Sequence, residues 1–178
     1  IRTILPDGTL ATVAGTGEAG DGGDGGPATD ALINFPAGID IASGVLYVAD
    51  AGNHRVRAVD LATGIITTIA GTGTAGFSGD GGDPLSAALS DPSDVAATPD
   101  GRSLYVADRS NNRVRIVSLL SPLINTFAGS GDTDFAGNLI DAGVAGLWSP
   151  LGVATSPFGL VMIADTEHHI VWRTPTGF

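Results

Sequence analysis

Apolar and polar positions along this chain fall into short runs punctuated by turn residues. In the middle of the sequence the apolar run Asp94-Val-Ala-Ala97 follows a proline, and Ser103-Leu-Tyr-Val-Ala107 follows Pro99-Asp-Gly101, whose Asp-Gly pair suits a tight hairpin. Arg113-Val-Arg-Ile-Val117 comes next, after Asp108-Arg-Ser-Asn-Asn112, and Leu123-Ile-Asn-Thr-Phe-Ala128 closes the set. The alternation in Arg113-Val-Arg-Ile116, and in Arg55-Val-Arg-Ala58, predicts a strand with one wet side. The first two runs are apolar throughout, as expected of strands packed on both faces. The pattern therefore predicts four short strands, a to d in chain order.

A long Gly-rich connection, Gly71 to Asp91, precedes this set. It contains the turn-prone Ser78-Gly-Asp-Gly-Gly82 and then Asp83-Pro84, which opens Leu85-Ser-Ala-Ala-Leu89. Asp as N-cap with Pro at the first helical position predicts one or two helical turns there, and Gly26-Pro27 opens the equivalent stretch from Ala28 to Phe35.

The same order of events recurs through the chain. Val13-Ala-Gly-Thr-Gly17 returns as Ile69-Ala-Gly-Thr-Gly73 and as Phe127-Ala-Gly-Ser-Gly131, and Pro36, Pro92 and Pro150 keep the same beat, as do the Ala-Asp pairs ending at Asp50, Asp108 and Asp165. A fixed period in this range marks a repeat architecture, whose units bury their apolar faces only by stacking on neighbours. Four short antiparallel strands per unit are the blade of a β-propeller, with strand a innermost. The fold class is therefore all-β, as a propeller of four-stranded antiparallel blades. The 178 residues read as one region: residues 1–14 hold strands c and d of a first blade, 15–70 and 71–128 are blades, and 129–178 are an incomplete last blade. A closed propeller typically needs 4 to 8 blades, so about three do not close. The missing blades are expected from a second copy, giving a six-bladed ring, or from the remainder of a longer chain. Strand c occurs both at Ile1–Ile4 and at Ile170–Trp172, which favours the longer chain.

Composition narrows the picture. With 27 Gly and 10 Pro the chain suits strands and turns, and without cysteine it has neither disulfides nor thiolate chemistry. All 8 basic residues are arginine, set against 19 acids, for a net charge of -11. That field repels phosphate backbones and argues against nucleic acid as a partner. No apolar run approaches the roughly 20 residues needed to span a bilayer. The first residue is Ile1 rather than Met, so the chain reads as processed or partial. An alphabet rich in Ala, Gly, Asp and Arg suggests a bacterial source.

Asp50-Ala-Gly-Asn-His-Arg-Val-Arg57, preceded by Leu46-Tyr-Val-Ala49, resembles the signature of the NHL repeat. So does Asp108-Arg-Ser-Asn-Asn-Arg-Val-Arg115, while Asp165-Thr-Glu-His-His-Ile-Val-Trp172 is a weaker copy. Gly71-Thr-Gly-Thr-Ala-Gly-Phe-Ser-Gly-Asp-Gly-Gly82 is similar to the inter-blade loop of bacterial NHL proteins. The resemblance implies six-bladed rings and, for bacterial members with such loops, an extracellular or periplasmic location. It implies little about activity, because propellers host many functions.

Candidate sites follow from the same residues. Asp50, Asn53, His54 and Arg55, with Asp108, Asn111, Arg113, Asp165 and His168 in the other units, sit at the turn between strands b and c. There Asx side chains bond backbone and the arginine can pair with the aspartate, so structural roles are expected. His168 and His169 align with Asn111 and Asn112 and replace turn residues, and no metal site is expected of them. No catalytic set is found: there is no Cys or Lys nucleophile, no Gly-x-Ser-x-Gly and no His-Glu-x-x-His. Gly20-Asp-Gly-Gly-Asp-Gly-Gly26 invites a calcium reading, but turn-making glycines with solvated aspartates account for it better. At strand a, Asp40 and Asp94 replace small residues where blades crowd the axis. They are expected either to take backbone or arginine hydrogen bonds or to hold an ion or polar ligand.

These readings converge on a noncatalytic binding or scaffolding module for a protein or glycan partner, without a cofactor. The alternative is part of a propeller lyase or hydrolase whose catalytic residues lie on other blades.

Overall fold

The computed structural model describes residues 1–135, 137 and 141–174. Thirteen strands run in chain order: β1 (Arg2–Ile4), β2 (Leu10–Thr12), β3 (Pro36–Ala42), β4 (Val45–Asp50), β5 (Arg55–Asp60), β6 (Ile66–Ala70), β7 (Pro92–Ala97), β8 (Ser103–Asp108), β9 (Arg113–Ser118), β10 (Leu123–Ala128), β11 (Pro150–Thr155), β12 (Val161–Asp165) and β13 (Ile170–Arg173). They form an antiparallel hairpin β1-β2, two complete four-stranded meanders β3-β4-β5-β6 and β7-β8-β9-β10, and a three-stranded sheet β11-β12-β13. The place where a fourth strand of the last blade was expected, from Thr176 onward, lies outside the described residues. The chain is all-β and built of propeller blades, and among the described residues no helix is long and apolar enough to cross a membrane.

Local chemistry sets each strand. The β7-β8 hairpin closes where Gly101, at φ +67, donates its N–H to the Thr98 carbonyl, as the Asp-Gly pair predicted. Each innermost strand begins with proline after a left-handed residue, at Phe35, Asp91 and Ser149, and each then carries a register shift before pairing regularly with its neighbour. The expected helical segments are single 3-10 turns, Ala28–Asp30 and Pro84–Ser86, the second capped by the Asp83 side chain accepting from the Leu85 N–H at 2.9 Å. They stop after one turn because Ala31, Ala87 and Leu89, all buried, are pulled into the gap between sheets.

Apolar side chains from facing sheets fill those gaps. Between the first two complete blades, Tyr47, Val56, Leu89, Val95, Val106 and Ile124 pack together, and Ile124 reaches that gap from outermost strand β10. Between the second and last sheets the same role falls to Tyr105, Val114, Leu147, Val153, Val161 and Ile163. Each fully buried aliphatic side chain of this kind contributes about 1.5–3 kcal/mol. Strand a of the first complete blade departs from expectation, because one face of β3 is open: Ile39 and Ile41 are 51% and 61% exposed. Asp40 faces the next blade, so its neighbours on β3 point backward, where the hairpin β1-β2 supplies only outer strands. At the other end Met162 and Val171 are open in the same way.

Candidate functional site

The turn between the second and third strands of each complete blade carries a network of polar contacts. In the first complete blade, Asp50 ends β4 fully buried and accepts from the Asn34 N–H (2.8 Å) and from Asn53 Nδ2 (2.8 Å). Asn53 Nδ2 also donates to the Gly20 carbonyl at 2.6 Å, joining the turn to the Gly-rich connection. Two residues beyond Arg55, Arg57 donates from Nε (3.1 Å) and Nη2 (2.6 Å) to Asp24 Oδ1 and from Nη1 to the Leu32 carbonyl (2.8 Å), with Asp50 Oδ2 3.7 Å away. Thr68 completes the cage by donating to Asp24 Oδ2 at 2.6 Å.

The next blade repeats the arrangement. Asp108 accepts from the Ser90 N–H (2.7 Å), Asn111 Nδ2 (2.8 Å) and Arg115 Nη1 (3.3 Å); Asn111 also donates to the Gly76 carbonyl (2.7 Å). Arg115 donates to Asp80 Oδ1 (2.7 Å) and the Ser78 carbonyl (3.1 Å), and Thr126 donates to Asp80 Oδ2 (2.7 Å). Burial pushes the Asp50 and Asp108 carboxyls above their ordinary value of 3.8, against the pull of the asparagine, amide and arginine donors. Asp24 stands below its ordinary value because the Thr68 and Arg57 hydrogen bonds outweigh partial burial.

Three expectations are corrected here. The third strand does not have a simple wet side: Arg57 and Arg115 are fully buried, because the Gly-Asp connection folds over them and supplies their acceptors. Arg55, expected to pair with Asp50, instead lies 3.6 Å from exposed Asp21 and donates to the Thr72 carbonyl. Its equivalent Arg113 binds the carbonyls of Asn111 and Ser130 and stacks over the Phe77 ring, 3.7 Å from its centroid. Asp24, given as solvated, is held in an ion pair with Arg57. His54 takes the left-handed position that closes the turn, and its Nδ1 accepts from the Asp91 N–H at 3.1 Å.

Asp40 and Asp94 lie on innermost strands and stitch neighbouring blades. Asp40 accepts from the Ile41 N–H (2.8 Å) and, one blade on, from the Ala97 N–H (2.8 Å). Asp94 accepts from the Val95 N–H (2.9 Å) and the Val153 N–H (3.0 Å) of the last sheet. Thr155 Oγ1 donates to the Ala97 carbonyl along the same seam at 2.6 Å. Burial, and then the negative charge of Asp40, raise the Asp94 carboxyl above 3.8. Gly38 is required beside this seam, because a Cβ there would lie 2.6 Å from the Asp94 Cα. Among the described residues no three His, Asp or Glu side chains converge as a metal site would require.

The last sheet keeps the aspartate but changes its partners. Asp165 accepts from the Trp148 N–H (2.7 Å), from Trp172 Nε1 (2.9 Å) and from His168 Nδ1 (2.8 Å), so tryptophan stands where Arg57 and Arg115 stood. Phe135 and Trp148 flank the imidazole, with ring centroids 5.5 and 5.9 Å from it, and Phe135 lies 6.0 Å from Trp172. A cleft of about 510 Å³ opens beside this cluster, lined by Phe127, Leu147, Val161, Ile163 and Trp172. Its walls match, one repeat on, those of the gap that Ile124 fills between the complete blades.

The sequence profile of the NHL repeat matches residues 34–58 and 89–117, each running from before strand a to strand c of a complete blade. The chain carries NHL repeats. The chain is 29% identical over 164 residues to NHL repeat-containing protein 2 of Gallus gallus, covering 80% of this chain and 22% of that protein. It is 38% identical over 91 residues to Protein SUPPRESSOR OF QUENCHING 1, chloroplastic, of Arabidopsis thaliana, covering 51% of this chain and 8% of that one. The chain thus spans less than a quarter of these relatives. Among solved structures, an auxiliary nutrient binding protein from Bacteroides thetaiotaomicron superposes with a TM-score of 0.59 at 20% identity, over 76% of this chain and 36% of that one. A protein so named from Bacteroides ovatus gives 0.58 at 22% identity, over 73% and 34%. At such identities the likeness concerns the fold. The NHL-repeat propeller fold is that of a binding or scaffolding module at this coarse level.

The turn aspartates and the asparagines were visible in sequence as repeated letters. What the sequence reading missed is Arg57 and Arg115 as buried keystones and the aromatic cluster of the last unit. The signal for the second was present: both tryptophans of the chain occur in the last unit, at Trp148 and Trp172.

Proposed function

We propose that this chain is a noncatalytic segment of an NHL propeller that presents the aromatic cluster of its last unit to a protein or glycan partner. The observation that carries the reading is the grouping of Phe135 and Trp148, 49% and 46% exposed, around His168 and Trp172 on one connection. Exposed aromatic rings of this kind supply large contact area at small entropic cost and dominate binding where they occur. The buried cages of the two complete blades hold that surface on a stiff support. An extracellular or periplasmic setting belongs to the same reading, supported by the similarly folded proteins named as nutrient binding proteins. Completion of the ring, by a second copy or by further blades of the same polypeptide, is the expected use of the apolar end faces at Ile39 and Ile41 and at Met162 and Val171.

The test is a glycan array together with a panel of immobilised extracellular proteins, read with the native chain and with Trp148→Ala in parallel. Capture that falls at least about tenfold in the variant supports the proposal, since truncated anchor aromatics cost that much or more. Capture unaffected by the substitution, or turnover of a captured ligand, refutes it.

A further inference from the structure

The bridge that joins each turn to its Gly-rich connection is made by a different group in the last unit. In the complete blades it is an amide: Asn53 Nδ2 donates to both Asp50 and the Gly20 carbonyl, and Asn111 Nδ2 to both Asp108 and the Gly76 carbonyl. An amide NH2 always carries two hydrogens, so the donor of this bridge does not change with pH. In the last unit the bridging residue is His168, whose Nδ1 lies 2.8 Å from Asp165 Oδ2 and whose Nε2 lies 2.8 Å from the Thr133 carbonyl. Both partners are acceptors, so only the imidazolium, with a hydrogen on each nitrogen, satisfies both.

Charge points the same way. Asp50 and Asp108 each have a buried guanidinium beside them, whereas the equivalent of that arginine is Trp172, which gives Asp165 a hydrogen bond but no positive charge. Asp165 is fully buried, and among the described residues protonated His168 is the cation that faces it. The other groups around the ring are Phe135 and Trp148; the titratable neighbours are Asp132 and Asp134 on the connection and Glu167 and His169 on the turn, all exposed.

We propose that His168 is a protonation switch, which as imidazolium clamps residues 129–135 to the last sheet and on losing its proton lets them go. The buried carboxylate keeps the remaining proton on Nδ1, so neutral imidazole turns a lone pair toward the Thr133 carbonyl and that bond is the one that breaks. The hydrogen bond to Asp165 raises the His168 pKa from its ordinary 6.5, against the effect of burial. A raised pKa means the clamp is complete below pH 6.5 and is lost as pH rises through the elevated value. The switch also governs Phe135, which lies on the same segment, and it stands whether or not that ring binds a partner.

The experiment follows amide hydrogen exchange, corrected for intrinsic rates, at pH 5.5 and 8.5 in the native chain and in His168→Asn, alongside an NMR titration of the imidazole nitrogens. The expected result is a loss of protection in residues 129–135 of about tenfold at the higher pH, the weight of one hydrogen bond, with the matching connections 15–33 and 71–89 unchanged. His168→Asn restores the amide of the sister repeats and removes the dependence. An imidazole already neutral at pH 5.5, equal protection at both pH values, or a dependence that survives in His168→Asn overturns the proposal.

Discussion

Replacing Arg115 by Met tests the cage of the second complete blade most directly. The guanidinium is fully buried and serves two carboxylates of different character: Asp108, also fully buried, at 3.3 Å, and Asp80, with a side chain 38% exposed, at 2.7 Å. Met fills much of the same volume, so the loss is electrostatic rather than a cavity. Without Arg115, Asp108 keeps only the Ser90 N–H and Asn111 as donors, and a buried carboxylate stripped of its cation costs about 3–5 kcal/mol. Asp80 turns to water and adds little. Asp80→Asn is therefore expected to cost no more than about 1 kcal/mol, because its ion pair is partly screened. The assay is urea unfolding at pH 7 of the native chain, Arg115→Met, Asp80→Asn and the double variant Arg115→Met with Asp108→Asn. In the double variant the stranded charge is gone, so it should recover part of what Arg115→Met loses. A midpoint for Arg115→Met within error of the native chain would refute the cage as the element that holds the connection, and an equal loss from Asp80→Asn would refute the larger weight given to the buried Asp108 pair.

Other substitutions probe separate parts of the fold. Gly38→Ala places a methyl 2.6 Å from the Asp94 Cα and should lower stability by about 1–3 kcal/mol in the same unfolding assay, while Gly44→Ala, whose added Cβ meets open space, loses only what its positive φ demands. Asp24 has a lowered pKa, so its contribution is present above pH 3.8 and disappears as pH falls through the depressed value; Asp24→Asn should flatten the acid limb of a stability-versus-pH curve, and an unchanged limb would count against the ion pair. Asn111→Ala leaves Asp108 and the Gly76 carbonyl without their shared donor and should cost about 1–3 kcal/mol, with hydrogen exchange rising first in residues 71–89. Ile124→Ala empties the gap between the complete blades and should cost about 2–5 kcal/mol by thermal or urea unfolding.

Much of the architecture could be read from the chain because a repeat states its grammar several times. The prolines at 36, 92 and 150 and the Ala-Asp pairs ending at 50, 108 and 165 mark where strands start and stop; proline brings a fixed φ, and a left-handed residue, His54 or Asn112, closes the turn after the aspartate of each complete blade. Strand order in the complete blades follows, since short connections leave a meander as the simple solution. Less of the site was legible. Alternation in Arg55-Val-Arg-Ala58 reads as a wet face, yet Arg57 is buried by residues 22–32, more than twenty positions away in sequence. Periodicity reports which side of a strand a residue takes and is blind to what a distant loop lays over that side.

The sequence by itself determined the blade, its strand order and the places of the turns, because these are decided within a few residues by dihedral preferences and by short connections. Only the tertiary structure decided that Asp40 and Asp94 reach the amides of Ala97 and Val153 one blade on, that Arg57 and Arg115 are buried, and that His168 faces two acceptors. Those outcomes depend on which groups meet after the sheets stack. The partner of a buried charge is chosen by the low-dielectric space in which it is left, and no local pattern of letters encodes that space.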